Sequence, residues 1–174
     1  MLSREDMILV IQGEYAVSDK PNVVISTLLG SCVSACLWDD KAHIGGLNHI
    51  VLSTEASGDS RSAYHGINAM EILINDLVKL GASRGRLQAK IFGGARMIKG
   101  LSDVGASNAA FVQSFLERDG IPCISKSVGG TSARKIQFWP TTGRARQMLV
   151  GAGDIREEVP VVRAPPPSDD VELF

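Results

Sequence analysis

The chain has 174 residues, 44% of them apolar, and 18 Lys and Arg against 19 Asp and Glu. That length suits one domain with a sizeable core, and a formal charge of −1 gives no global attraction for nucleic acid or anionic lipid. No apolar run nears the about 18 residues of a membrane span and no basic-then-apolar leader opens the chain, so a cytoplasmic protein is the default expectation.

The segment Met7–Ser18 has strand character and is followed by a turn at Asp19-Lys20-Pro21-Asn22. Val23–Thr27 is strongly β-branched and predicts a second strand. Val33, Ala35 and Leu37 alternate with Ser34, Cys36 and Trp38, a period of two. Asp39 to Ala42 is turn-like, and Ile44 to Leu52 resumes strand character. A polar loop from Ser53 to Ser62 leads to a helix marked by Ile67, Met70, Ile74, Leu77 and Val78, with Gly81 as its stop. Leu87–Phe92 predicts a strand ending in Gly93-Gly94. A second helix is predicted from about Ser107 to Arg118, with Ala110, Phe111, Ser114 and Phe115 along one side and Gly120 after it. Ile121 to Val128 predicts another strand, and Arg134–Trp139 and Arg144–Val150 flank Pro140-Thr141-Thr142-Gly143, a hairpin signal. Strands outnumber helices, which favours a layered α+β domain over a doubly wound one. Residues 1–150 form that domain. From Gly151 to Phe174 the chain turns Pro- and acid-rich without periodicity, the pattern of a flexible tail.

Three cysteines, an odd number without framework spacing, fit free thiols in a reducing compartment. Cys32 follows Gly30-Ser31 directly, and His49 lies in "GGLNHIVLS". A hairpin whose turn is centred between Asp40 and Lys41 sets Cys32 directly opposite His49, with Cβ atoms about 4.5–5.5 Å apart. A bulge at Gly45-Gly46 would shift that register and turn His49 away. A cysteine in a β-rich segment is usually a small buried hydrophobe. Beside a histidine it is instead a candidate nucleophile: a neighbouring imidazolium lowers the thiol pKa, and the imidazole then moves protons. The residues alone leave both readings open. Amide hydrogens around Ser31 and Cys32 are candidates to hold an oxyanion.

The other chemistry-bearing residues are weaker candidates. Cys36 stands four residues from Cys32, about 13 Å along a strand, too far to share one zinc. Neither a metal nor a cofactor is expected. Cys36 and Cys123 are expected in the core, and His43 and His65 are expected to be ordinary exposed or half-exposed histidines. Gly93-Gly94 and Gly129-Gly130 lack any phosphate-loop pattern and are expected turns.

"STLLGSCVSACLWD", "GGLNHIVLS", "AKIFGGARM" and "GGTSARKIQF", in that order, resemble the chemoreceptor glutamine deamidase CheD family, over about Gly13 to Val150. The resemblance implies an α/β/β sandwich related to toxin-type cysteine deamidases, with Cys32 as nucleophile and His49 as general base. It also implies a threonine upstream of the cysteine as third member. The family position, six before Cys32, is Ser26, with Thr27 next to it, so the third role falls to one of these two. The implied reaction hydrolyses glutamine side chains on the cytoplasmic helices of methyl-accepting chemotaxis receptors, and the implied partner is a CheC-type phosphatase. The competing reading is a non-catalytic adaptor that binds receptors or the phosphatase. A Cys-dependent deamidase acting on another protein would share the chemistry.

Overall fold

The computed structural model describes residues 5–52, 60–97, 103–150 and 171–174. Among the described residues, ten strands and two long helices follow one another: β1 (Asp6–Leu9), β2 (Tyr15–Ser18), β3 (Val23–Leu29), β4 (Val33–Asp39), β5 (Ile44–Asn48), α1 (Ser60–Leu80), β6 (Gln88–Gly93), α2 (Val104–Asp119), β7 (Cys123–Val128), β8 (Ala133–Trp139), β9 (Arg144–Val150) and β10 (Val171–Leu173). They form two five-stranded sheets, ordered β1-β3-β8-β9-β10 and β2-β5-β4-β6-β7. The two helices cover one face of the second sheet, and the first sheet covers its other face. The expected layered α/β/β arrangement is what the chain forms.

The sequence of β4 shows why. All seven of its residues are buried, as a strand between two layers must be. Val33, Ala35 and Leu37 join Met70, Leu73, Ile74 and Leu77 of α1 in the helix-facing core. Cys36 and Trp38 join Ile25, Leu29, Ile136 and Phe138 in the core between the sheets. In α1, Met70, Ile74 and Leu77 are buried as the spacing predicts, while Ile67 and Val78 are largely exposed at the edges of the stripe.

Several expectations are corrected. The stretch Met7–Ser18 is two strands, not one. A turn in which Glu14 N–H donates to Ile11 carries the chain from the first sheet to the second. The buried face of α2 is Gly105, Asn108, Ala109, Val112, Phe115 and Leu116, so Ala110 and Ser114 face solvent. Small residues let α2 lie close to the sheet, which hides its contact face from a search for bulky apolar positions. Cys123 is exposed because β7 is an edge strand. The β4–β5 hairpin pairs Asp39 with Ile44 and Cys36 with Leu47, so its loop is Asp40-Lys41-Ala42-His43. Asp39 sets that loop by accepting the N–H groups of Lys41 and Ala42, both at 3.1 Å. Its register is therefore two residues from the predicted one. No bulge occurs at Gly45-Gly46.

Residues 151–170, most of the segment expected as a tail, and Ser53 to Asp59 of the polar loop lie outside the described residues. The end of the segment is not free. Val171, Glu172 and Leu173 pair antiparallel with Met148, Gln147 and Arg146. Phe174 exchanges two backbone hydrogen bonds with Ala145 and packs edge-on against Phe92, with ring centroids 5.3 Å apart. An aromatic ring that buries this surface offsets the ordering entropy that composition alone suggested would keep the segment loose.

Candidate active site

Cys32 lies in the link between β3 and β4, and His49 follows β5 directly. Val33 and Ile50 exchange hydrogen bonds at 2.9 and 2.8 Å and both face the helices. Alternation turns their neighbours the other way, so Cys32 and His49 flank this bridge and face the space between the sheets. A register slip of two preserves the face. The pair is thus diagonal rather than directly opposed, about 7–8 Å between Cα atoms. Cys32 is half-buried and packs against the inter-sheet core, and His49 is 7% exposed.

The third group comes from the facing sheet. Ile25 and Leu29 of β3 point inward, and Thr27 between them shares their side. Its Oγ1 lies 2.8 Å from His49 Nδ1 and donates to the Val10 carbonyl at 2.8 Å. A hydroxyl has one hydrogen. With that hydrogen spent on Val10, Thr27 can only accept from His49. Nδ1 therefore carries a proton, and the Nε2 lone pair is left to act as base. Ser26 has the opposite parity and points to the outer face of the first sheet, beside Leu28. Its carbonyl accepts the Val10 N–H at 2.8 Å. Of the two hydroxyls left open by the sequence, the structure brings only Thr27 to His49.

Burial acts on both partners of the pair. It pushes the Cys32 thiol up and the His49 imidazole down, the latter partly opposed by the nearby Val10 carbonyl. Both shifts disfavour the charged forms and so oppose the expected thiolate–imidazolium pair. Cys36, fully buried, is pushed up to about 12.

The backbone around Cys32 is held from behind. Three consecutive carbonyls accept hydrogen bonds: Gly30 from Ala95 N–H at 3.0 Å, Ser31 from Asn108 Nδ2 at 2.8 Å and Cys32 from Gly94 N–H at 2.8 Å. Gly93 must be glycine, because its φ is 109° and an added Cβ would fall on the Cys32 carbonyl. Among the described residues, no acceptor is bonded to the amides of Ser31 or Cys32. Asn108 and the 93–95 segment escaped the sequence reading. The available signal was a carboxamide on the true apolar face of α2, masked when that face was placed on Phe111 and Ser114.

This arrangement defines a class: α/β/β sandwich domains with a cysteine, a histidine and a threonine turned toward the space between their sheets. The family model for CheD chemotactic sensory transduction matches residues 52–148. That span begins beyond Cys32 and His49, but curated relatives align over nearly the whole chain. The probable chemoreceptor glutamine deamidase CheD of Caulobacter vibrioides strain NA1000 is 51% identical over 95% of this chain and 91% of its own. Those of Acidiphilium cryptum (48% identical, 95% and 92% covered) and Agrobacterium fabrum (47%, 95% and 94%) are similar. The chain belongs to the CheD family. Among solved structures, a Neisseria meningitidis protein of the DUF152 family model shares 9% identity at a TM-score of 0.47, covering 72% of this chain and 64% of that one. That likeness is too distant to add to the fold described above.

Proposed function

We propose that this protein hydrolyses specific glutamine side chains of methyl-accepting chemotaxis receptors to glutamate, with Cys32 as nucleophile, His49 as general base and Thr27 orienting the imidazole. The observation that supports this reading is the Thr27–His49 hydrogen bond across the sheets, which occupies Nδ1 and leaves Nε2 as the basic nitrogen of an imidazole that shares its sheet face with Cys32. Family membership supplies the substrate class.

The reaction follows from those groups. His49 Nε2 takes the thiol proton as sulfur attacks the carboxamide carbon. The resulting oxyanion lies against the amides of Ser31 and Cys32. The new imidazolium keeps its Nδ1–H on Thr27 and gives the Nε2 proton to the departing nitrogen. Ammonia leaves and a thioester remains. Water then attacks with His49 again as base, the thiol regains its proton and glutamate is released. Each turnover replaces a neutral amide with a carboxylate, which shifts a packed receptor bundle through like-charge repulsion.

In this reading the protein acts in the cytoplasm, where the receptor helices it modifies lie. No described helix is long and apolar enough to cross a membrane. A CheC-type phosphatase is the second partner in this reading. The test is mass spectrometry of receptor cytoplasmic fragments after incubation with wild-type protein and with Cys32→Ala. Wild type should produce the Gln-to-Glu mass change and a folded Cys32→Ala protein should not. Equal conversion by both would end the covalent mechanism, and conversion by neither would favour the adaptor.

A further inference from the structure

We infer that Asn108 is a positioning residue that aims the Cys32 amide at the oxyanion, an inference that rests on the reading of Cys32 as nucleophile. Asn108 comes from α2, on the far side of the second sheet from the inter-sheet space, and is 0% exposed. Both ends of its carboxamide are in use. Nδ2 donates to the Ser31 carbonyl at 2.8 Å and Oδ1 accepts the Leu52 N–H at 3.1 Å. Ser31 O can only accept and Leu52 N–H can only donate, so this orientation of the amide is the one the two partners allow. One side chain therefore ties the residue before the nucleophile to the segment that follows His49.

The consequence lies in the peptide plane. The Ser31 carbonyl and the Cys32 N–H belong to one trans peptide and point in opposite directions. Gripping the carbonyl from the helix side thus turns the N–H away from the helices, toward the side that Cys32 and His49 face. The hydrogen bond at the carbonyl end also polarises the peptide and makes its N–H a better donor.

The position of Asn108 is itself over-determined. Gly105, one turn earlier, lies so close to the 94–95 segment that an added Cβ would collide with the Gly94 and Ala95 carbonyls. Asp103 caps the same helix end by accepting the Ala106 N–H at 3.0 Å. An ordinary buried asparagine would need only that its polar atoms be satisfied. This one spends both on the two backbone segments that carry the thiol and the imidazole.

The test separates oxyanion binding from thiol reactivity. Asn108→Asp keeps an acceptor for Leu52 but loses the donor to Ser31, and Asn108→Ala loses both. In each, kcat on a receptor fragment should fall about 10- to 100-fold, less than the ~10²–10³ for outright loss of an oxyanion donor, because the amide is misaimed and not removed. KM should change little. Alkylation of Cys32 by iodoacetamide, followed by peptide mass mapping, forms no oxyanion and should keep its wild-type rate. An unchanged kcat, an equal fall in alkylation, or failure of both variants to fold would each overturn the inference. Wild-type deamidation that survives Cys32→Ala would instead remove the nucleophile reading on which it rests, a distinct outcome.

Discussion

The Thr27 hydroxyl has a single hydrogen and Val10 takes it, which leaves His49 to donate to Thr27 and to accept elsewhere. Thr27→Val removes that acceptor from His49 and the hydroxyl donor from the Val10 carbonyl. Turnover should fall about tenfold or more, with a stability loss of about 1–3 kcal/mol from the unsatisfied buried groups. Ser26→Ala should leave turnover near wild type, because its side chain lies on the other face of β3; the comparison of kcat for the two variants checks this. The directions of these two shifts make a second prediction. Deamidation needs His49 unprotonated, and burial lowers its pKa, so the acid limb of the pH–rate profile should lie below the ordinary histidine value of about 6.5. Alkylation of Cys32 needs thiolate, and burial raises that pKa, so labelling should keep climbing above pH 8 while deamidation is already flat. An alkylation plateau at neutral pH would instead reveal an ion pair. Cys123, exposed but with its thiol also pushed up by desolvation, should label with an alkaline dependence, and buried Cys36 only after unfolding.

At the scale of elements, β10 is the clearest lesson. Three residue pairs and the Phe174–Phe92 contact complete the edge of the first sheet. Phe174→Ala should lower stability by about 1–3 kcal/mol, less than for a wholly buried phenylalanine, and the urea midpoint measures it. Composition could not show this, since a single aromatic after a Pro-rich stretch has no periodicity to announce a strand. Elements with their own pattern were legible: α1 from its apolar stripe, and β8 and β9 from the turn between them. Those defined by tertiary choice were not. Met7–Ser18 is uniformly strand-like, and which sheet each half joins depends on partners elsewhere in the chain. The hairpin carrying Cys32 and His49 was legible in face but not in register, because the Asp39 side chain moved the turn by one position.

At the scale of the molecule, the site is a property of two sheets rather than of one motif. Cys32 and His49 were legible because a Gly-Ser-Cys link and a histidine recur on the same face of neighbouring strands. Thr27 could not be separated from Ser26 until β3 was assigned to the facing sheet, and Asn108 remained hidden on the wrong side of a helix. Thr27 and His49 are only 22 residues apart in sequence. Yet β3 is held by β8, Ile25 against Phe138, and β4 by β6, Cys36 against Lys90. Neither pairing is local. Loops of roughly 50 to 110 residues must close before the hydroxyl and the imidazole face each other, and such closures are slow relative to helix formation. In a refolding experiment the far-ultraviolet helical signal should therefore return first and deamidase activity last. A nascent or stressed chain would pass through a state in which α1 is formed, the thiol is present and the base still lacks its anchor. Catalytic competence is then expected as a late folding event, even though the residues proposed to carry it are near neighbours along the chain.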